Sequence, residues 1–141
     1  MADAFSHSFI IEGGNFLNAG RASTEIKAML KDLGLNPALI RRVAIAAYEA
    51  EMNAVMYASR ATLTFSVTPT MIHILVDDKG PGIPDVTAAM QEGYSTATRE
   101  MREMGFGAGM GLPNIKRNAD EFVITSTVGK GTRLDITIYI N

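Results

Sequence analysis

The sequence predicts an α+β fold, a two-layer sandwich with a mostly antiparallel sheet and helices stacked on one face. Three observations predict it. The hydrophobic periodicity runs strand, two helices, two strands, loop, helix, two strands, which is not a run of βαβ units. The later strands come in pairs joined by short turns, Pro69-Thr70 and Gly129-Lys130-Gly131, and so read as hairpins. The length of 141 residues, with 47% hydrophobic and 20% charged side chains, suits one ordinary domain, residues 1–141, with enough apolar surface for a core.

The elements follow in order. Phe5 to Ile11 alternates weakly as a strand, and Gly13-Gly14 breaks it. From Asn15 to Leu33 the apolar residues Phe16, Ala19, Ala22, Ile26, Met29, Leu30 and Leu33 recur at helical spacing. Gly34 then stands where a helix C′ glycine would. Asn36-Pro37 reads as an N-cap and a first-turn proline, opening a second helix to about Ser59. That helix is Ala-rich and apolar almost all round, so it should lie deep. Ala61 to Thr68 alternates cleanly, Leu63, Phe65 and Val67 against Thr62, Thr64 and Ser66, and Met71 to Asp78 is its hairpin partner. Gly80 to Pro84 is a loop, and Asp85 to about Glu92 a short helix. Gly93 to Gly111 is irregular, with glycines at 105, 107, 109 and 111. A helix from about Leu112 to Ala119 and strands at about Glu121 to Val128 and Thr132 to Ile140 close the chain.

Composition narrows the chemistry. There is no cysteine, which excludes disulfides, thiol catalysis and cysteine-ligated zinc. His7 and His73 lie in separate strand-like runs, which argues against an imidazole metal site. Lys+Arg 13 against Asp+Glu 15 leaves a net charge of -2, unlike a general nucleic-acid binder. No apolar run approaches the ~20 residues that span a bilayer, and the first residues lack the pattern of a signal peptide. A soluble cytoplasmic protein, with neither membrane nor direct nucleic-acid partner, is the expectation.

Four places could carry chemistry. Glu49 and Asn53 are four apart on the second helix and so share a face, amid Ile45, Ala46, Met52, Met56 and Tyr57. A carboxylate and an amide in that stripe either line a ligand or cation cavity, or are a helix-edge Glu and an Asn bonded to a loop. Asp78 shares a strand face with Ile72, Ile74 and Val76 and should point inward at the strand's end, where it could accept from an exocyclic amine. Gly80 and Gly82, just after it, would let backbone approach a flat ligand, or simply form a turn. The run Gly105-Phe106-Gly107-Ala108-Gly109-Met110-Gly111-Leu112-Pro113 feeds a helix N-terminus, as a polyphosphate cradle or as a hinge. It is neither a P-loop nor a Rossmann fingerprint. Thr132 lies on the strand face of Leu134, Ile136 and Ile138, so its hydroxyl needs a partner.

Taken together and in order, Glu-x-x-x-Asn, Asp-x-Gly-x-Gly, a glycine-rich loop ending Gly-x-Gly-Leu, and Gly-Thr resemble the motif set of the GHKL ATPases (gyrase, heat-shock chaperones, histidine kinases, MutL). Within that superfamily the chain is similar to the small bacterial serine kinases that regulate sigma factors, namely the anti-sigma factors and the stressosome switch kinase. The resemblance extends over nearly the whole chain and includes Asp78 to Asp85, Gly93-Tyr94-Ser95-Thr96, Gly109 to Pro113, Asp120-Glu121-Phe122 and Gly129 to Thr132. Gly93-Tyr94-Ser95-Thr96 and Leu112-Pro113 lean toward the switch kinases, while the charged stretch from Ala97 to Met104 resembles the sigma-binding branch.

The resemblance implies ATP or ADP with Mg²⁺ between helices and sheet. Asp78 would accept the adenine amino group, helped by Thr132 through a water. Gly80, Gly82 and Ile83 would shape the adenine pocket. Asn53 would ligate Mg²⁺. Gly107, Gly109, Met110, Gly111 and Leu112 would run along the phosphates, and Gly93 to Gly107 would be a mobile lid in which Arg99 or Arg102 reaches the γ-phosphate. Glu49 would be the general base for a serine of a partner protein. The implied activity is a protein serine kinase acting on a STAS-domain antagonist or scaffold, with a sigma factor and a second copy of the chain as further candidate partners. The alternative is an anti-sigma module that sequesters its partner in a nucleotide-dependent way with little transfer.

Overall fold

The computed structural model describes residues 5–91 and 111–140. In chain order the elements are β1 (Phe5–Glu12), a 3-10 turn (Phe16–Asn18), α1 (Arg21–Asp32), α2 (Pro37–Tyr57), β2 (Arg60–Val67), β3 (Met71–Lys79), α3 (Val86–Ala89), α4 (Gly111–Asn118), β4 (Glu121–Thr127) and β5 (Gly131–Tyr139). The strands form one sheet in the order β1-β2-β3-β5-β4, antiparallel at every pairing. The two expected hairpins are β2–β3 and β4–β5, and the fold is the predicted α+β sandwich.

Strict alternation builds the inner face. Phe65 pairs with Ile74, which pairs with Ile136, and all three side chains are fully buried. They form one core with Val43, Ala46, Ala47 and Ala50 of α2. The residues between them carry the open face, where Ser8 and Thr64 hydroxyls meet at 3.2 Å. Small alanines let α2 lie close to the sheet, and α1 and α4 pack on its flanks. Asn36 caps α2 by accepting from the Ala38 N–H at 2.8 Å, ahead of Pro37 in the first turn. Among the described residues no helix is long and apolar enough to cross a membrane.

One expected element is different. The helix read from Asn15 to Leu33 is interrupted: a 3-10 turn ends at Asn18, Gly20 takes φ +93°, and α1 begins at Arg21. The cause lies 31 residues away. The carboxylate of Glu51, only 3% exposed, accepts from the N–H groups of Gly20, Ala22 and Ser23 at 3.0, 3.1 and 3.0 Å. It takes up donors that a helix start leaves unsatisfied and sits at the positive end of the helix dipole. That fixes the start of α1 against α2, whatever the apolar spacing before it. At the other end α1 stops as expected, with Gly34 at φ +74°.

Candidate functional site

The site follows one face of α2. Glu49, Asn53 and Tyr57 are spaced i, i+4, i+8 on that helix, and so stack in line over about 12 Å at 1.5 Å rise per residue. At the C-terminal end of this line lies the Asp78 corner. At the other end lies the N-terminus of α4.

Asp78 occupies the position that alternation gives it, inward at the end of β3 and only 8% exposed. Its Oδ1 accepts from the Thr132 N–H at 2.9 Å, and among the described residues Oδ2 has no hydrogen-bond partner. Burial pushes its carboxyl above the ordinary range, the Thr132 N–H opposes that, and the neighbouring Asp77 charge adds to it. The backbone is drawn tightly around it. A Cβ on Gly131 would stand 2.0 Å from the Asp78 carbonyl oxygen, and Gly131 has φ +150°, so only glycine fits here. Gly80 lies between Asp78 and the end of α2, a Cβ there reaching 3.3 Å from Asp78 Oδ1 and 3.2 Å from the Tyr57 carbonyl oxygen. Gly82, at φ +77°, lies against β4, where a Cβ would stand 2.5 Å from the Thr127 carbonyl oxygen.

Ile83 is half-buried against the core, and its N–H donates to Ser126 Oγ at 2.7 Å. The same Oγ lies 2.9 Å from Thr132 Oγ1. Thr132 therefore reaches Asp78 through its backbone, while its hydroxyl is engaged with Ser126. The Gly129 N–H donates to the Pro81 carbonyl at 2.8 Å, a second stitch between the 80–84 loop and the β4–β5 hairpin. Sequence reasoning missed Ser126. The available signal was a hydroxyl following Phe122 and Ile124 on the inward side of β4, where an apolar residue would be expected.

Glu49 is half-buried where α2 meets α4. A Cβ on Gly111 would stand 3.5 Å from Glu49 Oε2, so the first turn of α4 abuts the carboxylate. Burial raises its pKa from the ordinary value, and a side-chain hydrogen bond from Asn114 partly offsets the rise. Asn53 is half-buried too, and among the described residues nothing hydrogen-bonds its side-chain amide. Leu112 turns its side chain into the core beside Pro113 and Ile115, anchoring α4, so only its backbone is left for a ligand. Gly107, Gly109, Met110 and the segment 93–107 lie outside the described residues, as do Arg99 and Arg102.

The residues described fit a magnesium nucleotide. Among the described residues the corner offers an Asp78 carboxylate oxygen without a hydrogen-bond partner, three glycines where a Cβ would meet backbone, and an Asn53 amide without one. Among the described residues no group of three or more His, Cys, Asp or Glu could hold a metal by itself. A Mg²⁺ held there would depend on Asn53, phosphates and water, a habit of this ion.

A two-layer sandwich whose central helix lines up a glutamate, an asparagine and a sheet-end aspartate defines an ATPase of the histidine-kinase type. The chain belongs to this class: residues 18–138 match the family model described as Histidine kinase-like ATPase domain. It is 32% identical over 108 residues to the serine/threonine-protein kinase RsbT of Bacillus subtilis (strain 168), covering 74% of this chain and 75% of that one. It is 33% identical over 128 residues to the anti-sigma F factor of Caldanaerobacter subterraneus subsp. tengcongensis, covering 87% of this chain and 86% of that one. The anti-sigma F factor of Thermoanaerobacter sp. (strain X514) is 32% identical over 135 residues, 89% of this chain and 91% of that one.

Proposed function

We infer that the chain is an ATP-dependent protein serine kinase that regulates sigma-factor activity by partner switching. We further propose that its acceptor is a serine of a STAS-type antagonist or scaffold protein, and that it works in the cytoplasm. The observation that carries the reading is the line Glu49–Asn53–Tyr57 on α2, with the half-engaged carboxylate of Asp78 at its far end.

In this reading Oδ2 of Asp78 accepts from the adenine amino group, a bond made stronger by the buried surroundings. Gly80, Gly82 and Ile83 form the wall beside the base, held by Ser126. The Thr132 hydroxyl, already shared with Ser126, can reach the base through a water. Asn53 would hold a Mg²⁺ through its amide oxygen, and that ion would neutralise phosphate charge. Glu49 takes the proton of the acceptor serine as that oxygen forms its bond to the γ-phosphorus. The bond from the γ-phosphorus to the β–γ bridging oxygen breaks, and ADP leaves. A carboxylate whose proton affinity is raised by burial is a better base at neutral pH than an exposed one. Positioning and charge neutralisation supply the rest of such a reaction.

The anti-sigma F factor relatives support a second reading, a module that holds a sigma factor and uses nucleotide to set its own shape. One experiment separates the two. The protein is incubated with γ-labelled ATP, Mg²⁺ and a STAS-domain protein encoded beside it. A labelled serine on the STAS protein, lost in Glu49→Ala, supports the kinase. Binding of ATP and partner with no labelled serine transfers the case to the sequestering module.

A further inference from the structure

We propose that the edge of β1 is a docking site for an extended segment of a partner protein, which adds to the sheet as a further strand in the groove between β1 and α1. The site is separate from the nucleotide corner, and the proposal does not depend on it.

β1 stands at the end of the strand order and pairs on one side only. The register tells which of its main-chain groups are left over. β2 turns into β3 with the Thr68 N–H donating to the Met71 carbonyl at 2.9 Å. Even-numbered residues of β2 therefore bond toward β3 and odd-numbered ones toward β1. The Gly13 N–H donates to the Ser59 carbonyl at 2.9 Å and carries the same rule to the end of β1. Phe5, His7, Phe9 and Ile11 thus use their main-chain groups on β2, while Ser6, Ser8, Ile10 and Glu12 turn theirs to the edge. The Glu12 carbonyl is taken by the Asn15 N–H at 3.3 Å. Among the described residues nothing pairs with the edge-facing main chain of Ser8 or Ile10.

This edge lines a cavity of about 360 Å³, within the span of ligand sites at about 300–1,000 Å³. One wall is the whole run Ser8–Glu12, and the other includes Arg21, Ala22 and Glu25 of α1. Side chains alternate between the faces of a strand, so five consecutive residues share the cavity because it runs along their main chain. The usual protection of an edge is missing: β1 contains no Lys, Arg or Pro, and Ile10 is 60% exposed.

The groups at Ser8 and Ile10 recur every two residues, about 6.8 Å apart. Another extended chain matches that spacing donor for acceptor. Its side chains on the helix side would enter between Phe9, Ile11 and Ala22, which suits apolar residues. Glu12 and Glu25 are exposed at the lip and, among the described residues, make no ion pair. One cation, Arg21, stands against them, and the Glu51 carboxylate is already engaged by backbone N–H groups. The segment that fits is extended, apolar at alternate positions, and carries Lys or Arg beside them.

The test uses the ¹⁵N-labelled full chain and a blocked eight-residue peptide of alternating valine and lysine. In the chain alone, amide exchange should be slow at Phe9 and Ile11 and fast at Ser8 and Ile10. Peptide should slow Ser8 and Ile10 by about tenfold or more and leave Phe9 and Ile11 little changed. A peptide with glutamate in place of lysine should bind several-fold more weakly, and Glu25→Lys should undo that preference. Ile10→Pro removes an edge N–H but no bond to β2. It should keep the melting temperature and ATP affinity while losing about tenfold in peptide affinity. Should that variant fail to fold, a peptide N-methylated at alternate residues removes the same bonds from the ligand side and should lose about as much. Unchanged exchange at Ser8 and Ile10 under millimolar peptide overturns the proposal, as does undiminished affinity for Ile10→Pro or for the methylated peptide. Protection of Ser8 and Ile10 that grows with protein concentration, without peptide, also overturns it, since the edge then belongs to a second copy of the chain.

Discussion

Glu49 and Glu51 are two residues apart on α2, about 200° around the helix from each other, and the fold uses them in opposite ways. Glu51 is sealed in and its two oxygens accept three backbone N–H groups at the start of α1. Glu49 is half-buried and faces a helix start as well, and burial raises its pKa while Asn114 partly offsets the rise. One carboxylate is spent on architecture. Among the described residues no comparable set of backbone donors seats the other, and the proposed reading gives it the part of the base. One residue type on one helix is thus fully engaged by backbone donors at 51 and, among the described residues, not at 49.

The comparison breaks first at Glu49. Glu49→Ala should lower phosphate transfer by about 10²–10⁴-fold, the usual share of a general base, while ATP affinity and melting temperature stay near wild type. Single-turnover transfer beside a binding isotherm checks it. Glu51→Ala should do the reverse. Loss of charge-assisted bonds to three backbone donors, two of them buried and one half-buried, should cost about 3 kcal/mol in a urea titration. The turnover of whatever remains folded should change far less than in Glu49→Ala.

Smaller effects sharpen the picture at the nucleotide corner. Ser126→Ala takes the acceptor from the Ile83 N–H and the partner from the Thr132 hydroxyl, and should cost about 1 kcal/mol with a several-fold rise in KM for ATP. The pH dependence has the smallest effect and a definite sign. Glu49 and Asp78 both bind their protons more tightly in the folded chain. Their contribution to stability is therefore present below the ordinary carboxylate range and is lost as pH rises through their raised values. Without nucleotide, Glu49→Gln and Asp78→Asn should each melt above wild type at pH 7, and the difference should close as the pH is lowered toward 4. A pair of melting curves at the two pH values checks it.

Much of this was legible in the sequence because it rests on local rules. Period-two alternation put Asp78 on the inner face with Val76 and Ile74, and Asn36-Pro37 marked the start of α2. The four-residue spacing of Glu49 and Asn53 gave the site line. The rest depends on contacts between distant segments. The break at Gly20 is imposed by Glu51, whose own neighbours in the chain give no hint of it. Thr132 is expected to help Asp78 through a water; that its hydroxyl also meets Ser126 on the neighbouring strand and its backbone N–H bonds Asp78 directly is not legible in the sequence. Asn114 reads as an ordinary helix residue until α4 packs on α2. The phosphate-side expectations at Gly107, Gly109 and Met110 fall outside the described residues.

The central claim is that an adenine nucleotide is read by Asp78. The most direct measurement is the affinity of the purified protein for ATP and ADP with Mg²⁺, in wild type and in Asp78→Asn. The substitution keeps an oxygen for the Thr132 N–H but turns the second acceptor into a donor facing the adenine amino group. The account predicts binding by wild type and a loss of tenfold to about a hundredfold in the folded variant, as for a charged hydrogen bond exchanged for a clash of donors. Equal affinities in the two proteins, or no binding by either, would contradict it.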